Sequence, residues 1–182
     1  MSKLAMFLGG VAAGVIGGKL VPPLIGIVTA SGRVKAGGDP FELLIEDHRQ
    51  ILSVCEQLSQ APQDSKMQRS RLFLALKRKL AKHAMAEEDV VYPIVHGQAR
   101  ESDESKQLYD DHAEMKILLY EMEDKLMSGA DWSPQVAALT DLIRSHAAEE
   151  EQVVFPMLRR QMEQSRLPAM SGQISREEAL VV

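Results

Sequence analysis

The chain has little of what several classes of protein need. It holds a single cysteine, Cys55, which excludes an internal disulfide, and we expect this thiol to be buried and inert. Lysine and arginine are scattered and the formal net charge is −5, so there is no basic stripe for a phosphate backbone. No pattern for Ser–His–Asp catalysis or for a phosphate-binding loop is found. We therefore expect no nucleic acid among its partners.

The composition does allow a packed core, because 45% of the residues are apolar and 26% are charged. The distribution of these residues divides the chain into three parts. Residues 1–38 are rich in glycine and small apolar side chains, residues 39–163 are charged and periodic, and residues 164–182 form a tail. In the tail, Ser175 begins a capping-box pattern that predicts a short terminal helix after a polar linker.

The middle part carries apolar residues at helical spacing in four stretches. Asp39 and Pro40 supply the start of the first, and the second begins near Ser65. The third runs from about Ser102 to a stop at Gly129, and the fourth opens at Ser133. Because the connections are short, the pattern predicts an all-α fold, an up-down-up-down four-helix bundle.

An eleven-residue motif occurs twice in this region. HAMAEEDVVYP, residues 83–93, returns as HAAEEEQVVFP, residues 146–156, and the Asp-His pair at 47–48 returns at 111–112. Residues 41–96 and 105–159 therefore read as two copies of one helix pair. Since a helix pair cannot bury its apolar face alone, we expect the copies to assemble about a pseudo-twofold axis.

Polar side chains occupy matched positions on the apolar faces of all four helices. A histidine and the glutamate four residues after it project from the same helical face. A buried carboxylate is costly unless cations or hydrogen bonds compensate it, so the cluster indicates a metal. The predicted metal ligands are His48, His83, Glu87, His112, His146 and Glu150.

Six ligands of this kind are too many for one tetrahedral zinc ion. Four imidazoles and two carboxylates suit two iron or manganese ions bridged by the two glutamates. We expect iron as the metal, with manganese or zinc less favoured. Glu88 and Glu151, five residues after their histidines, point about 140° away on a helical wheel and are expected at the solvated surface.

Taken together, these motifs resemble the hemerythrin-like HHE cation-binding domain over roughly residues 40–160. The resemblance implies a four-helix bundle with a non-haem di-iron centre held by the six named residues. Family members include oxygen carriers, oxygen, redox or iron sensors, and iron–sulfur repair proteins. Two features depart from the carriers: Lys116 stands where they have a second histidine, and the fourth helix carries His-x-x-x-Glu instead of His-x-x-x-x-Asp.

These departures favour sensing, iron handling or peroxide and nitric oxide chemistry over oxygen transport. We therefore expect a non-haem di-iron protein that binds dioxygen, peroxide or nitric oxide, for oxygen or redox sensing or for iron handling. A peroxide- or nitric-oxide-consuming enzyme and a metal-stapled structural subunit of a membrane complex are the alternatives. Tyr109, three residues before His112, is read either as a hydrogen-bond donor or radical site near the centre or as a tyrosine at the bundle edge.

The first 38 residues raise the question of a membrane. Leu4–Gly18 is uncharged and mostly apolar, and Gly10, Gly14 and Gly18 have the spacing that lets membrane helices pack closely. We expect a membrane anchor, with the bundle on the cytoplasmic side because basic residues follow the segment. Cleavage after Ala30 with export to the periplasm, and a soluble oligomerisation segment, are the alternatives.

Overall fold

The computed structural model describes residues 15–16, 19–20, 38–96 and 102–181, with side chains described for 38–96 and 105–181. Residues 34–182 form one compact unit, and residues 1–33 form another. The described part of the larger unit is helical, as predicted, with helices α1 (Pro40–Gln60), α2 (Lys66–Ala86), α3 (Tyr92–His96), α4 (Ser102–Ser128), α5 (Ser133–Glu149), α6 (Phe155–Gln161) and α7 (Leu167–Leu180). A π-helical turn, Glu87–Val91, joins α2 to α3, and a second, Glu150–Val154, joins α5 to α6.

The predicted helix boundaries have local physical causes. The Asp39 carboxylate caps α1 by accepting a hydrogen bond from the Phe41 amide at 2.9 Å, and Pro40 occupies the first turn. Gly129 follows the last residue of α4 with φ of +76°, the left-handed conformation that ends many helices. Helix α1 packs against α2 and α5, and α4 packs against α2 and α5, which is the set of neighbours that a four-helix bundle requires.

Two apolar clusters form the core, one on each side of the layer of histidines. The first cluster surrounds Phe41, Tyr92 and Phe155, and the second surrounds Leu76, Met122 and Leu139. Along α1, for example, His48 lies between Ile45 of the first cluster and Ile51 of the second. The polar layer is therefore enclosed by apolar side chains along the bundle.

Each π-helical turn moves the buried, apolar face of its helix by one residue along the sequence. A continuous α-helix through His146 would place Val153, seven residues later, on the core face, but Val153 is 41% exposed and Val154 is 1% exposed. A π turn holds an extra residue, so the side chains after it are rotated by about 100° relative to a continuous α-helix. This rotation also turns the aromatic residues Tyr92 and Phe155 fully into the core.

The tail helix is longer than predicted. Helix α7 begins at Leu167 with Pro168 in its first turn, so the expected start at Ser175 and the polar linker before it are wrong. Met170 and Ile174 are buried in the first apolar cluster, and the Ser171 hydroxyl donates to the Gly38 carbonyl at 2.8 Å. Burial against α1 and α2 outweighs the weak helix propensity of Gly172.

Near the N-terminus, Val15–Ile16 pairs antiparallel with Lys19–Leu20, and these four residues are extended. The rest of the expected anchor, including Leu4–Gly14 and the cleavage site after Ala30, lies outside the described residues. Within the described ranges, no helix combines the length and the apolar character needed to cross a membrane.

Candidate metal centre

The structure brings all six predicted ligand residues together in the buried polar layer. His48 comes from α1, His83 from α2, His112 from α4 and His146 from α5. Glu87 and Glu150 are the first residues of the two π-helical turns, where they directly follow α2 and α5. All six residues are almost inaccessible to solvent, with exposures of 2% or less.

The carboxylate of Glu87 lies between two pairs of histidines. Its Oε1 atom is 3.1 Å from Nε2 of His83 and 3.8 Å from Nε2 of His48. Its Oε2 atom is 3.4 Å from Nε2 of His112 and 3.8 Å from Nε2 of His146. Each oxygen therefore faces one pair, the arrangement that a bridging carboxylate needs.

Glu150 lies beside both halves of the centre. Its Oε2 atom is 3.2 Å from Nε2 of His48 and 3.4 Å from Nε2 of His146. Two groups of potential ligands result, each with donor atoms within 4.8 Å of one another: His48, His83, Glu87 and Glu150 in one, and Glu87, His112 and His146 in the other. Glu87 belongs to both groups.

Several of these buried atoms make no hydrogen bond of favourable angle among the described residues, although some of them lie 3.1–3.2 Å apart. They are Nε2 of His48, both ring nitrogens of His83, Oε1 of Glu87 and Oε2 of Glu150. Unpaired buried polar atoms are costly, and a cation at their convergence would compensate most of them. The nitrogen and oxygen donor set suits metal ions such as iron, so the residues present fit a metal centre.

Three of the histidines contact an acidic side chain through Nδ1, the ring nitrogen that faces away from the centre. Nδ1 of His48 is 2.8 Å from Oε1 of Glu151, and Nδ1 of His112 is 2.9 Å from Oε1 of Glu88. Nδ1 of His146 is 3.3 Å from Oδ2 of Asp111. When each imidazole is neutral, as a metal ligand must be, an acceptor at Nδ1 places the proton there and leaves the lone pair of Nε2 facing the centre.

The prediction that Glu88 and Glu151 lie at a solvated surface is right only in part. Their side chains are only 27% and 35% exposed, and each bonds to a histidine of another helix. A helical wheel gives a direction relative to the residue's own helix. It does not show that this direction meets the outer edge of a histidine on a neighbouring helix.

Burial and charge shift the pKa values in opposite directions across the centre. Burial lowers the pKa of His83 to about 3. For His146, burial acts the same way, but the nearby carboxylates of Glu150, Asp111 and Glu87 outweigh it and raise the pKa to about 10. Burial, followed by the charge of Glu87, raises the pKa of Glu150. Although burial opposes ionisation of Glu87 as well, the adjacent histidines hold its pKa well below the ordinary value.

The sequence reasoning missed Tyr92. Its hydroxyl lies 2.9 Å from Oε1 of Glu150, 3.2 Å from Oε2 of Glu87 and 3.2 Å from Nε2 of His112. The matched position in the second repeat is Phe155, which packs on Phe41 with ring centroids 5.0 Å apart. The sequence did contain a signal for Tyr92, because the matched positions of the two motifs hold tyrosine in one and phenylalanine in the other.

Tyr109 lies at the bundle edge, 39% exposed. Its hydroxyl donates to the backbone carbonyl of Glu88 at 3.2 Å, and its ring meets Tyr92 edge-on with centroids 5.0 Å apart. Tyr109 therefore supports Tyr92, and Tyr92 is the tyrosine that reaches the predicted ligands.

Comparison with known proteins places this geometry in a family. A DNA nickase from Nostoc sp. (strain PCC 7120 / SAG 25.82 / UTEX 2576) is 29% identical over 135 residues, which is 74% of this chain and 38% of the nickase. The chain thus spans less than half the length of that curated relative. No solved structure matches the chain. The family model of the hemerythrin HHE cation binding domain matches residues 39–158, about two thirds of the chain and all six predicted ligands. The chain belongs to the hemerythrin HHE cation-binding family.

Proposed function

We propose that this protein is a non-haem di-iron protein that binds dioxygen or a related small oxidant, for oxygen or redox sensing or for iron handling. The observation that carries the proposal is the position of Glu87, with one oxygen toward the His48–His83 pair and the other toward the His112–His146 pair. When bound, two iron ions would supply a redox-active centre for small oxidants. His48, His83, Glu87, His112, His146 and Glu150 would hold them.

The chain's own residues prepare the centre in three ways. The outer acids Glu88, Glu151 and Asp111 orient three imidazoles with Nε2 inward. The two apolar clusters cover the polar layer along the bundle. Tyr92 holds a proton within hydrogen-bond distance of both glutamates, where it can stabilise negative charge that develops between them.

Sensing or iron handling is favoured over oxygen carriage because of Lys116. Where the carriers have a second histidine, the Lys116 ammonium turns outward and pairs with Oε1 of Glu88 at 3.1 Å. Lys116 is therefore not among the proposed ligands, and one half of the centre has fewer protein donors. Fewer donors leave more positions for an exchangeable ligand.

Two other activities remain outside this proposal. A peroxide- or nitric-oxide-consuming enzyme would use the same six residues, and steady-state consumption would distinguish it. Nicking of DNA is not assigned to this chain, because the chain covers 38% of the nickase that it resembles and its formal net charge is −5.

The test is metal counting combined with spectroscopy. We would purify the full chain anaerobically in mild detergent, count its metals, and record absorption spectra before and after admitting air. Two irons per chain and a new ligand-to-metal charge-transfer band are expected. No iron, or a zinc-only protein that does not respond to air, would overturn the proposal and favour the metal-stapled structural subunit.

A further inference from the structure

The two inter-repeat interfaces of the bundle differ although the repeat would make them equivalent. Helices α1 and α5 pack closely, whereas α2 and α4 pack less closely. A cavity of about 340 Å³ lies between α2 and α4. His83 and His112, which belong to different halves of the proposed centre, both line this cavity.

Matched positions of the two repeats carry different side chains at the two interfaces. Lys116, which turns outward to Glu88 at the cavity, corresponds to Leu52, which packs against the second apolar cluster. Ala81, a small residue in the cavity wall, corresponds to Arg144, which is 63% exposed and lines the cavity at the α1–α5 interface. A cavity of about 730 Å³ at that interface is lined by Trp132 and Arg144, and none of the four site histidines is among its described lining residues.

The cavity beside the histidines is larger than a diatomic ligand requires. Its volume of about 340 Å³ is on the order of ten times the ~30 Å³ that one water molecule occupies in the liquid. It falls within the range of roughly 300–1,000 Å³ typical of pockets for small organic molecules. The size therefore allows an occupant with a carbon skeleton.

The wall chemistry indicates what kind of molecule fits. Leu80, Met115 and Leu119 supply an apolar wall, and all three are buried. Both lysines at the cavity already have carboxylate partners: Lys77 donates to Glu123 at 2.8 Å, and Lys116 donates to Glu88 at 3.1 Å. An anion would have to displace these carboxylates and lose water against apolar walls. An uncharged molecule avoids both costs.

We propose that the α2–α4 cavity binds an uncharged, largely apolar small organic molecule, with one end at His83 and His112, so that the molecule meets the proposed metal centre. The role of the bound molecule rests on the proposed function, because the molecule would lie beside the proposed metal centre. The binding itself depends only on the cavity.

Binding can be measured without any activity of a metal-loaded protein. We would label the methionine methyl groups of the full chain with ¹³C and titrate it with 2-phenyl-2-propanol, an uncharged alcohol with an apolar ring. The Met115 methyl resonance should shift saturably, because Met115 lines the cavity. Met170, in the apolar cluster on the other side of the histidines, should not shift. The anion 4-isopropylbenzoate should bind at least about tenfold more weakly.

Matched variants locate the site. Ala81→Phe fills the α2–α4 cavity at an exposed helical position, and Ala137→Phe does the same at an exposed position in the other cavity. We expect Ala81→Phe to weaken binding of the alcohol by about tenfold or more and Ala137→Phe to change it by less than about twofold. If Ala81→Phe does not fold, Ala81→Leu, a smaller addition of volume at the same exposed position, is expected to weaken binding in the same direction.

Absence of a saturable Met115 shift, equal effects of the two phenylalanine variants, or tighter binding of the anion would overturn the inference. Iron counted in the same preparations separates this failure from failure of the proposed function. If the chain holds two irons but does not bind the alcohol, only the inference about the cavity is overturned. Alcohol binding without iron supports the cavity as a binding site and removes the di-iron proposal.

Discussion

The Tyr92 hydroxyl lies 2.9 Å from Oε1 of Glu150, which belongs to the other helix-pair repeat. The same hydroxyl is 3.2 Å from Oε2 of Glu87 in its own repeat. One side chain thus connects the two predicted bridging carboxylates from a position that is phenylalanine in the second repeat. The centre is therefore only approximately twofold symmetric, and the asymmetry is chemical.

Replacing Tyr92 tests this connection. We expect Tyr92→Phe to keep the fold, because Phe155 occupies the matched position, but to leave buried carboxylate oxygens without their donor. The free energy of unfolding of the metal-free protein should fall by about 1–3 kcal/mol, measured by urea denaturation. Tyr109→Phe is the control, since that hydroxyl bonds to a backbone carbonyl at an exposed position. Equal losses for the two variants would argue against a special role for Tyr92.

Glu87 and its neighbour Glu88 should differ in their effect on iron. Glu87→Gln removes the charge of the carboxylate that faces both histidine pairs and should prevent the binding of two irons per chain. Glu88→Gln removes the charge of the group that accepts at Nδ1 of His112 and pairs with Lys116, so two irons should still bind at saturation with affinity reduced by about 10- to 100-fold. Metal analysis after dialysis against graded iron concentrations measures both effects. Identical losses would contradict the assignment of Glu87 as ligand and Glu88 as its support.

Metal removal should destabilise the bundle. The unpaired buried atoms of the centre carry a cost that bound cations compensate. Iron that binds the folded chain and not the unfolded one would add about 2.7 kcal/mol at a free concentration one hundred times its Kd. Thermal unfolding with and without a chelator measures this difference under anaerobic conditions. The same melting temperature in both samples would show that the cluster does not hold the metal under test.

Cys55 should resist alkylation in the folded protein. Burial raises the pKa of its thiol to about 11, so near pH 7 only about one thiol in 10,000 would carry the reactive thiolate, even before access is considered. Iodoacetamide labelling followed by mass spectrometry should show no modification in buffer near neutral pH. Complete modification is expected in denaturant. Rapid labelling of the native chain would indicate that α1 opens around Cys55.

The terminal helix should contribute to the stability of the bundle. Ile174 is fully buried in the first apolar cluster, so Ile174→Ala should lower the free energy of unfolding by about 2–5 kcal/mol. Leu180→Ala, at a position 62% exposed, should change it by less than about 0.5 kcal/mol. Urea unfolding of the two variants makes the comparison. A negligible effect of Ile174→Ala would mean that α7 is not docked in solution.

Much of the fold was readable because helix signals are local. Asp39, Pro40 and Gly129 act on their own few residues, so the start of α1 and the end of α4 lie where the sequence predicts. The register of Val153 and the start of α7 were not readable in this way. A π-helical turn and the burial of Ile174 depend on packing against other helices, and no local pattern contains that information.

The sequence by itself determined the helical class, the duplicated helix pair and the six residue types that meet in the middle. These features depend on a helical period of 3.6 residues and on the repeated motif positions. Both are the same for every packing of the helices that buries their apolar faces. Only the tertiary structure decided which acids hold which histidines, that Tyr92 joins the two glutamates, and that α2 and α4 leave a cavity beside His83 and His112. Those relationships join side chains from different helices, so their distances depend on helix rotation and packing and not on spacing along the chain.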